Sequence, residues 1–171
     1  VEIPEKSGAF LDFTKSIGDR VVTEFSYRYN NSDRARVFAS VEITEGKKEL
    51  NEICKSLKKN GYLVTDLTDD TLAKDHLRYM VGGHPAATLN ERLFLFEFPA
   101  TSNALVRFLE TLGNAYNITL FHFRITGLEF CSVLCGLDVT CKEDKVNDFV
   151  KAIGYPVEEV TSNTAYQQLV K

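Results

Sequence analysis

Apolar and polar positions along this chain follow the same order twice. The strand-like segment TEFSYR at 23–28 returns as TLFHFR at 119–124, and both end in an aromatic residue followed by arginine. Its lead-in, GAFLDF at 8–13, returns as NALVRF at 103–108, and its exit, GYLV at 61–64, returns as GYPV at 154–157. The partners lie 96, 95 and 93 residues apart. Two copies of such a long period are typical of two small, similar domains packed as a pair.

The first unit alternates between strand and helix patterns. Phe10, Phe13 and Ile17 have helical spacing, which predicts a helix capped by Ser7 and ended by Gly18. Further patterns predict strands at 1–3, 21–30, 36–43 and 62–66, a helix at 46–60 and a short helix at 69–77. The order is β-α-β-β-α-β, the ferredoxin-like arrangement with helices on one face of an antiparallel sheet.

The second unit predicts the same elements in the same order. They are strands at 92–98, 117–125 and 129–139, a helix capped by Ser102, a helix through Val146 and Ile153, and a short helix at 163–170. Residues 81–89, with two glycines and a proline, read as the linker. We therefore predict an α+β protein of two ferredoxin-like domains in tandem, one at 1–83 and the other at 84–171.

The net charge limits the classes of binding partner, and the cysteines indicate the cellular compartment. The net charge of −4 and the isoelectric point near 5.4 argue against nucleic acid or an anionic membrane. No apolar run approaches the roughly 18 residues that span a bilayer. The four cysteines lack metal-ligand spacing, and Cys131 and Cys135 read as core residues, which predicts a reducing intracellular compartment: cytosol, mitochondrion or plastid. Since the chain opens at Val1 with a truncated first strand, we expect it to be part of a longer protein.

The sequence offers no catalytic or metal site. The three histidines are scattered, and no G-x-S-x-G segment is present. Gly82-Gly83 lacks the strand-to-helix context of a phosphate-binding loop and reads as a hinge. We therefore expect no enzymatic activity from this chain itself.

Binding is the remaining chemistry, and it is predicted where each unit turns into its first helix, at 5–9 and 100–104. Free N–H groups and the helix dipole at such a turn favour a carboxylate. Gly8 allows close approach to the backbone, and Phe10 and Tyr27 can wall an aliphatic side chain. Arg28 offers either a second polar anchor or an inter-domain contact. The alternative for Tyr27-Arg28 is a buried aromatic residue followed by a surface arginine.

Longer segments resemble a known family. IPEKSGAF, DRVVTEFSYR, DDTLAKDHLRYMVGG, ERLFLFEFP and NAYNITLFHFR closely resemble the C-terminal regulatory region of biosynthetic threonine deaminase (threonine ammonia-lyase), over essentially the whole chain. The resemblance implies tandem ACT-like domains behind a pyridoxal-phosphate catalytic domain, which this chain lacks. It implies feedback inhibition by isoleucine, opposed by valine, in a homo-oligomer, either a dimer or a tetramer.

The resemblance also assigns residues. Family effector-site aromatics fall on Tyr27 and Phe123, each followed by an arginine, and Arg78 matches a further position used in feedback control. With the two turns, the candidate effector-binding residues are Ser7, Gly8, Ala9, Phe10, Tyr27, Arg28, Arg78, Asn103, Ala104, Leu105, Phe123 and Arg124.

The second unit departs from the family at two of these positions. Phe123 replaces a usual tyrosine and Asn103 a usual glycine, although asparagine tolerates the left-handed turn. We therefore expect an intact site in unit one and, in unit two, a site that is weakened or only structural. The alternatives are a sensor of another amino acid, an oligomerisation module without ligand and, disfavoured by the acidic charge, an RNA-binding pair.

Overall fold

In the part of the chain that the computed structural model describes, seven strands form one continuous antiparallel sheet across both predicted units. The structure describes residues 1–30, 33–75, 83, 90–99, 101, 103–125, 129–141, 145–164 and 166. Unit one contains β1 (Glu2–Pro4), α1 (Ala9–Ile17), β2 (Val22–Arg28), β3 (Arg34–Val41), α2 (Lys47–Lys59) and α3 (Thr71–Asp75). Unit two contains β4 (Glu91–Pro99), α4 (Ala104–Leu112), β5 (Asn117–Arg124), β6 (Phe130–Asp138), α5 (Val146–Ala152) and β7 (Val157–Glu159).

The two units are joined edge to edge. The strand order is β1-β3-β2-β5-β6-β4-β7, so the counterpart strands β2 and β5 pair at the centre of the sheet. Ser26 pairs with His122, which is its own counterpart 96 residues later. The repeat therefore has an approximate two-fold relation through this pair. The predicted fold class is confirmed, with the two predicted sheets merged into one.

The helices pack on one face of the sheet, and their apolar stripes meet across the seam between units. In α1, the Phe10 ring lies 5.0 Å from Phe25 and 6.3 Å from Phe121, measured between ring centroids. In α4, Phe108 lies 5.9 Å from the same Phe121. Because side chains at helical spacing bury a single stripe, the core is shared by both units. Cys131 and Cys135 are buried in it as free thiols, as predicted.

The start of α1 differs from the prediction. The residue preceding the helix is Gly8, with φ 81°, and no side chain caps the helix. Ser7 lies one residue too early to be the N-cap, so that assignment is wrong. The chain enters α1 through a left-handed residue, a conformation that glycine adopts without a steric penalty.

The predicted fourth strand of unit one is also wrong. Residues 62–66 form only a single bridge, between Leu63 and Glu2. The counterpart β7 forms a strand on β4, which has nine residues, whereas β1 has three. A ladder needs a partner edge of sufficient length, and β1 does not provide one.

Some predictions fall outside the described residues. These are the Ser102 cap, Arg78, the linker apart from Gly83, and the ends of the two short helices at 76–77 and 167–170. Within the described residues, no helix has the length and apolar character to cross a membrane. The same residues hold no group of three or more side chains arranged to bind a metal ion.

Candidate functional site

A cleft opens at the seam between the units, beside the turn that leads into α1. The cleft is partly open to solvent, and its cavity volume is about 20 Å³. One wall comes from unit one and the other from the end of α4 and the start of β5. The lining residues are Glu5, Lys6, Ser7, Gly8, Phe10, Leu11, Leu109, Leu112, Gly113, Tyr116, Asn117 and Ile118. Both units are therefore needed to form the cleft.

One end of the cleft is polar. The half-buried carboxylate of Glu5 accepts a hydrogen bond from the Tyr27 hydroxyl at 2.5 Å and a longer one from Asn117 Nδ2 at 3.5 Å. Burial raises the pKa of Glu5 above its ordinary value, although both hydrogen bonds oppose the shift. Burial, together with the neighbouring Glu5 carboxylate, also raises the pKa of Tyr27. The phenol therefore stays protonated and serves as the donor.

Gly8 lies close to the loop that follows α4 in unit two. A β-carbon at this position would lie 2.4 Å from Asn114 Oδ1, which belongs to the loop after α4. Its φ of 81° also lies in the left-handed region, which side chains disfavour. The left-handed conformation favours glycine here, and the Asn114 side chain would have to move to admit a larger residue.

The predicted residues of unit one lie at different places relative to the cleft. Ser7, Gly8 and Phe10 line the cleft, whereas Ala9 is buried in the core. Tyr27 is buried behind the cleft and reaches it through its hydrogen bond to Glu5. Sequence reasoning missed Glu5 as a site residue and missed the entire unit-two wall. That wall forms because the pairing of β2 with β5 brings the loop after α4 beside the start of α1, and the sequence alone does not give this pairing.

Arg28 lies on the opposite face of the sheet from the cleft, since it follows Tyr27 in β2. Its guanidinium forms a buried ion pair with Glu91 of β4, and the side chains of Thr119 and Tyr166 also donate to that carboxylate. Burial favours the neutral acid, but these hydrogen bonds outweigh it and hold the pKa of Glu91 below its ordinary value. Arg28 therefore makes the inter-domain contact that was one of its two predicted roles.

The corner of unit two has a different structure. Asn103 precedes α4 with φ −105°, so the expected left-handed turn is not kept. Ala104 and Leu105 are buried in α4, and Phe123 is buried with its ring 6.3 Å from Phe98. The exposed Arg124 lies opposite Glu24 in the β2–β5 register. The structure thus does not bring the predicted residues of unit two into the cleft described here.

Comparison with known proteins identifies the family. A family model described as the C-terminal regulatory domain of threonine dehydratase matches residues 1–77 and 82–170. The biosynthetic L-threonine dehydratase IlvA of Escherichia coli K12 is 43% identical over 167 residues, which is 98% of this chain and 32% of the relative.

Eukaryotic relatives show the same coverage. The mitochondrial threonine dehydratase of Saccharomyces cerevisiae is 38% identical over 180 residues, covering 100% of this chain and 31% of the relative. The Solanum lycopersicum protein named threonine dehydratase 1 biosynthetic, chloroplastic, is 36% identical over 172 residues, which is 98% of this chain and 28% of the relative. The chain thus spans about a third of the length of these relatives. These matches confirm the resemblance seen in the sequence: the chain belongs to the family of the C-terminal regulatory domain of threonine dehydratase.

Proposed function

We propose that this chain senses isoleucine as the feedback inhibitor of threonine dehydratase, with valine as the opposing effector, and so controls the first step of isoleucine biosynthesis. The observation that carries the proposal is the seam cleft, which has apolar walls and one polar end. A small zwitterion with a branched aliphatic side chain has the same division of character. Relatives named as biosynthetic threonine dehydratases support a role in controlling that enzyme.

The walls suit a branched aliphatic group. Phe10, Leu11, Leu109, Leu112 and Ile118 supply the apolar surface. Isoleucine exceeds valine by one methylene, which contributes about 0.8 kcal/mol when buried. That difference corresponds to about fourfold in affinity. It favours isoleucine while leaving valine able to compete for the same space.

The position of the cleft suggests how binding is transmitted. Because one wall comes from each unit, a bound ligand favours the packing of the units that keeps both walls in contact with it. A ligand shifts such an equilibrium only by its difference in affinity between the two arrangements. Valine, which fills less of the cleft, would then stabilise a different arrangement.

The remainder of the regulated enzyme forms part of the proposal. We infer that the catalytic domain of the same polypeptide is the partner, that it holds the pyridoxal phosphate, and that the protein assembles as a dimer or tetramer. The cleft in this chain does not suit that cofactor, since its polar end is the carboxylate of Glu5, which would repel a phosphate. Relatives named mitochondrial and chloroplastic support an intracellular location.

Calorimetric titration of this chain with isoleucine, valine and threonine tests the proposal. We expect isoleucine to bind most tightly and threonine to bind weakly. Leu11→Ala shortens a cleft wall, so it should weaken isoleucine binding by about 1–2 kcal/mol. Leu63→Ala is the matched control, because Leu63 is exposed and lies outside the cleft.

Equal isoleucine affinity in the two leucine variants would remove the cleft from the proposal. Tighter binding of a different amino acid would indicate a sensor for another pathway. If none of the three amino acids binds while the chain self-associates in sedimentation, the oligomerisation role would be the better account.

A further inference from the structure

The carboxylate of Glu5 has neutral hydrogen-bond partners. Within the described residues these are the phenol of Tyr27 and the amide of Asn117. Neither partner carries a positive charge, so the ionised carboxylate is held by dipoles alone. Lys6 is the cationic residue that lines the cleft, but its side chain is exposed at the rim.

An ionised carboxylate in this position carries a desolvation cost that is not offset by a counter-charge. Burial accordingly raises the pKa of Glu5 above its ordinary value. A cation entering the cleft would supply the missing charge, and charge-assisted hydrogen bonds are about twice as strong as neutral ones. The opposite walls are apolar, which limits the guest to one whose cationic group sits beside an aliphatic group.

We propose that Glu5 binds the α-ammonium group of an aliphatic amino acid in the seam cleft, and that Tyr27 and Asn117 are positioning residues that hold its carboxylate. This inference rests on the proposed function, that the cleft binds such an amino acid. The ammonium group then becomes a required feature of the ligand. Aliphatic acids without it are excluded, even when their carbon skeleton fits the walls.

Two analogues of isoleucine separate the contributions of the ligand. 3-Methylpentanoate keeps the skeleton and the carboxylate but lacks the ammonium group, whereas 2-methylbutylamine keeps the ammonium group and lacks the carboxylate. In calorimetry with the unsubstituted chain, we expect 3-methylpentanoate to bind about tenfold or more weakly than isoleucine. 2-Methylbutylamine should retain measurable binding that depends on Glu5.

Glu5→Gln keeps the shape of the side chain and removes its charge. It should weaken isoleucine and 2-methylbutylamine by about tenfold or more, and it should not weaken 3-methylpentanoate, which is itself an anion. Glu52→Gln is the matched control, because it removes the same charge from the exposed face of α2. Tyr27→Phe should weaken isoleucine by a smaller factor while preserving the preference for the ammonium group.

The outcomes separate the role of Glu5 from the proposed function, which is the binding of an amino acid in the cleft. Isoleucine binding that keeps its full preference over 3-methylpentanoate in a folded Glu5→Gln variant overturns the role of Glu5 and leaves the proposed function intact. Failure of isoleucine to bind the unsubstituted chain overturns both. Circular dichroism and thermal melting of each variant show whether it is folded.

Discussion

The two corners of this duplicated fold differ in a correlated way. In unit one, Gly8 takes a left-handed turn and the Tyr27 hydroxyl donates to Glu5. In unit two, Asn103 takes the place of the glycine with a right-handed turn, and Phe123 takes the place of the tyrosine. At the 95-residue offset of these turns, Ala100 occupies the position of Glu5. Unit two therefore has neither the donor nor the acceptor at the matching positions, so we expect the two groups of unit one to act as one unit.

The walls that face the two corners differ as well. Asn117 of β5 faces the first corner, and its counterpart in unit one, 96 residues earlier, is Val21. Next to Val21, the Arg20 guanidinium donates hydrogen bonds to the Glu49 carboxylate at 2.7 Å and to the carbonyl of Ile17 at 2.8 Å. The approximate two-fold relation therefore links two corners that differ both in the conformation of the turn and in chemistry. Among the described residues, the polar end supplied by both units lies at the first corner.

The largest expected effect is a difference in stability between substitutions of the two arginines that follow Tyr27 and Phe123. Arg28→Leu leaves Glu91 buried without its ion pair, so the free energy of unfolding should fall by about 3–5 kcal/mol. Arg124→Leu alters an exposed side chain and should cost about 1 kcal/mol or less. Urea unfolding of both variants measures the difference. Similar losses of unfolding free energy in the two variants would mean that the buried Arg28–Glu91 pair contributes no more stability than the exposed Arg124 does.

The two turn residues give the next largest contrast. Gly8→Ala forces a side chain into the left-handed region and against Asn114, so it should cost about 1–2 kcal/mol and disturb the cleft. Asn103→Ala requires no such conformation and should stay within about 0.5 kcal/mol. Thermal unfolding and isoleucine titration check both variants. A neutral Gly8→Ala would show that the turn can relax.

The fold was predictable because the signals that set it are local. Apolar spacing placed α1 at Phe10, Phe13 and Ile17, and the structure has that helix at Ala9–Ile17. The repeat gave the order of elements in both units. The failure at 62–66 has a non-local cause, since strand formation there depends on a partner edge that β1 is too short to supply.

The candidate site was predictable only in part. The turn before α1 carries its own signal in Gly8, because the left-handed conformation favours glycine. Asn117 carries no comparable signal, since it reaches Glu5 only after β2 pairs with β5. Glu5 itself looks like a surface residue beside a proline, and its burial follows from the same pairing. Contacts made across a sheet seam require the strand order to be known first.

Exchanging the aromatic residues is expected to have a moderate effect. Tyr27→Phe removes the donor to Glu5, whose half-exposed carboxylate then turns partly to water, so the cost should be about 1 kcal/mol. Phe123→Tyr adds a hydroxyl in a corner where Ala100 provides no carboxylate, so it should bring no gain in isoleucine binding. A double-mutant cycle of Tyr27→Phe with Glu5→Gln measures the coupling between the pair. Additive effects would contradict the view that donor and acceptor act as one unit.

The smallest expected effect is a pH dependence of the stability, and it arises from Glu5 of unit one. Since the folded-state pKa of Glu5 is raised, the folded chain holds this proton more tightly than the unfolded chain does. The contribution of Glu5 to stability is present in full below the ordinary glutamate pKa, about 4.3, and is lost as the pH rises through the raised value.

Isoleucine binding should change in the opposite direction over the same window. An ammonium group needs the ionised carboxylate, so affinity should increase as the pH rises through the raised pKa of Glu5. Glu5→Gln should abolish both slopes, whereas the charge-matched Glu52→Gln should keep them. Parallel titration and melting series from acidic to neutral pH measure the two slopes on the same samples. Opposite slopes that vanish together in one variant would assign both to a single carboxylate, since a general loosening of the fold at acidic pH would lower affinity and stability together.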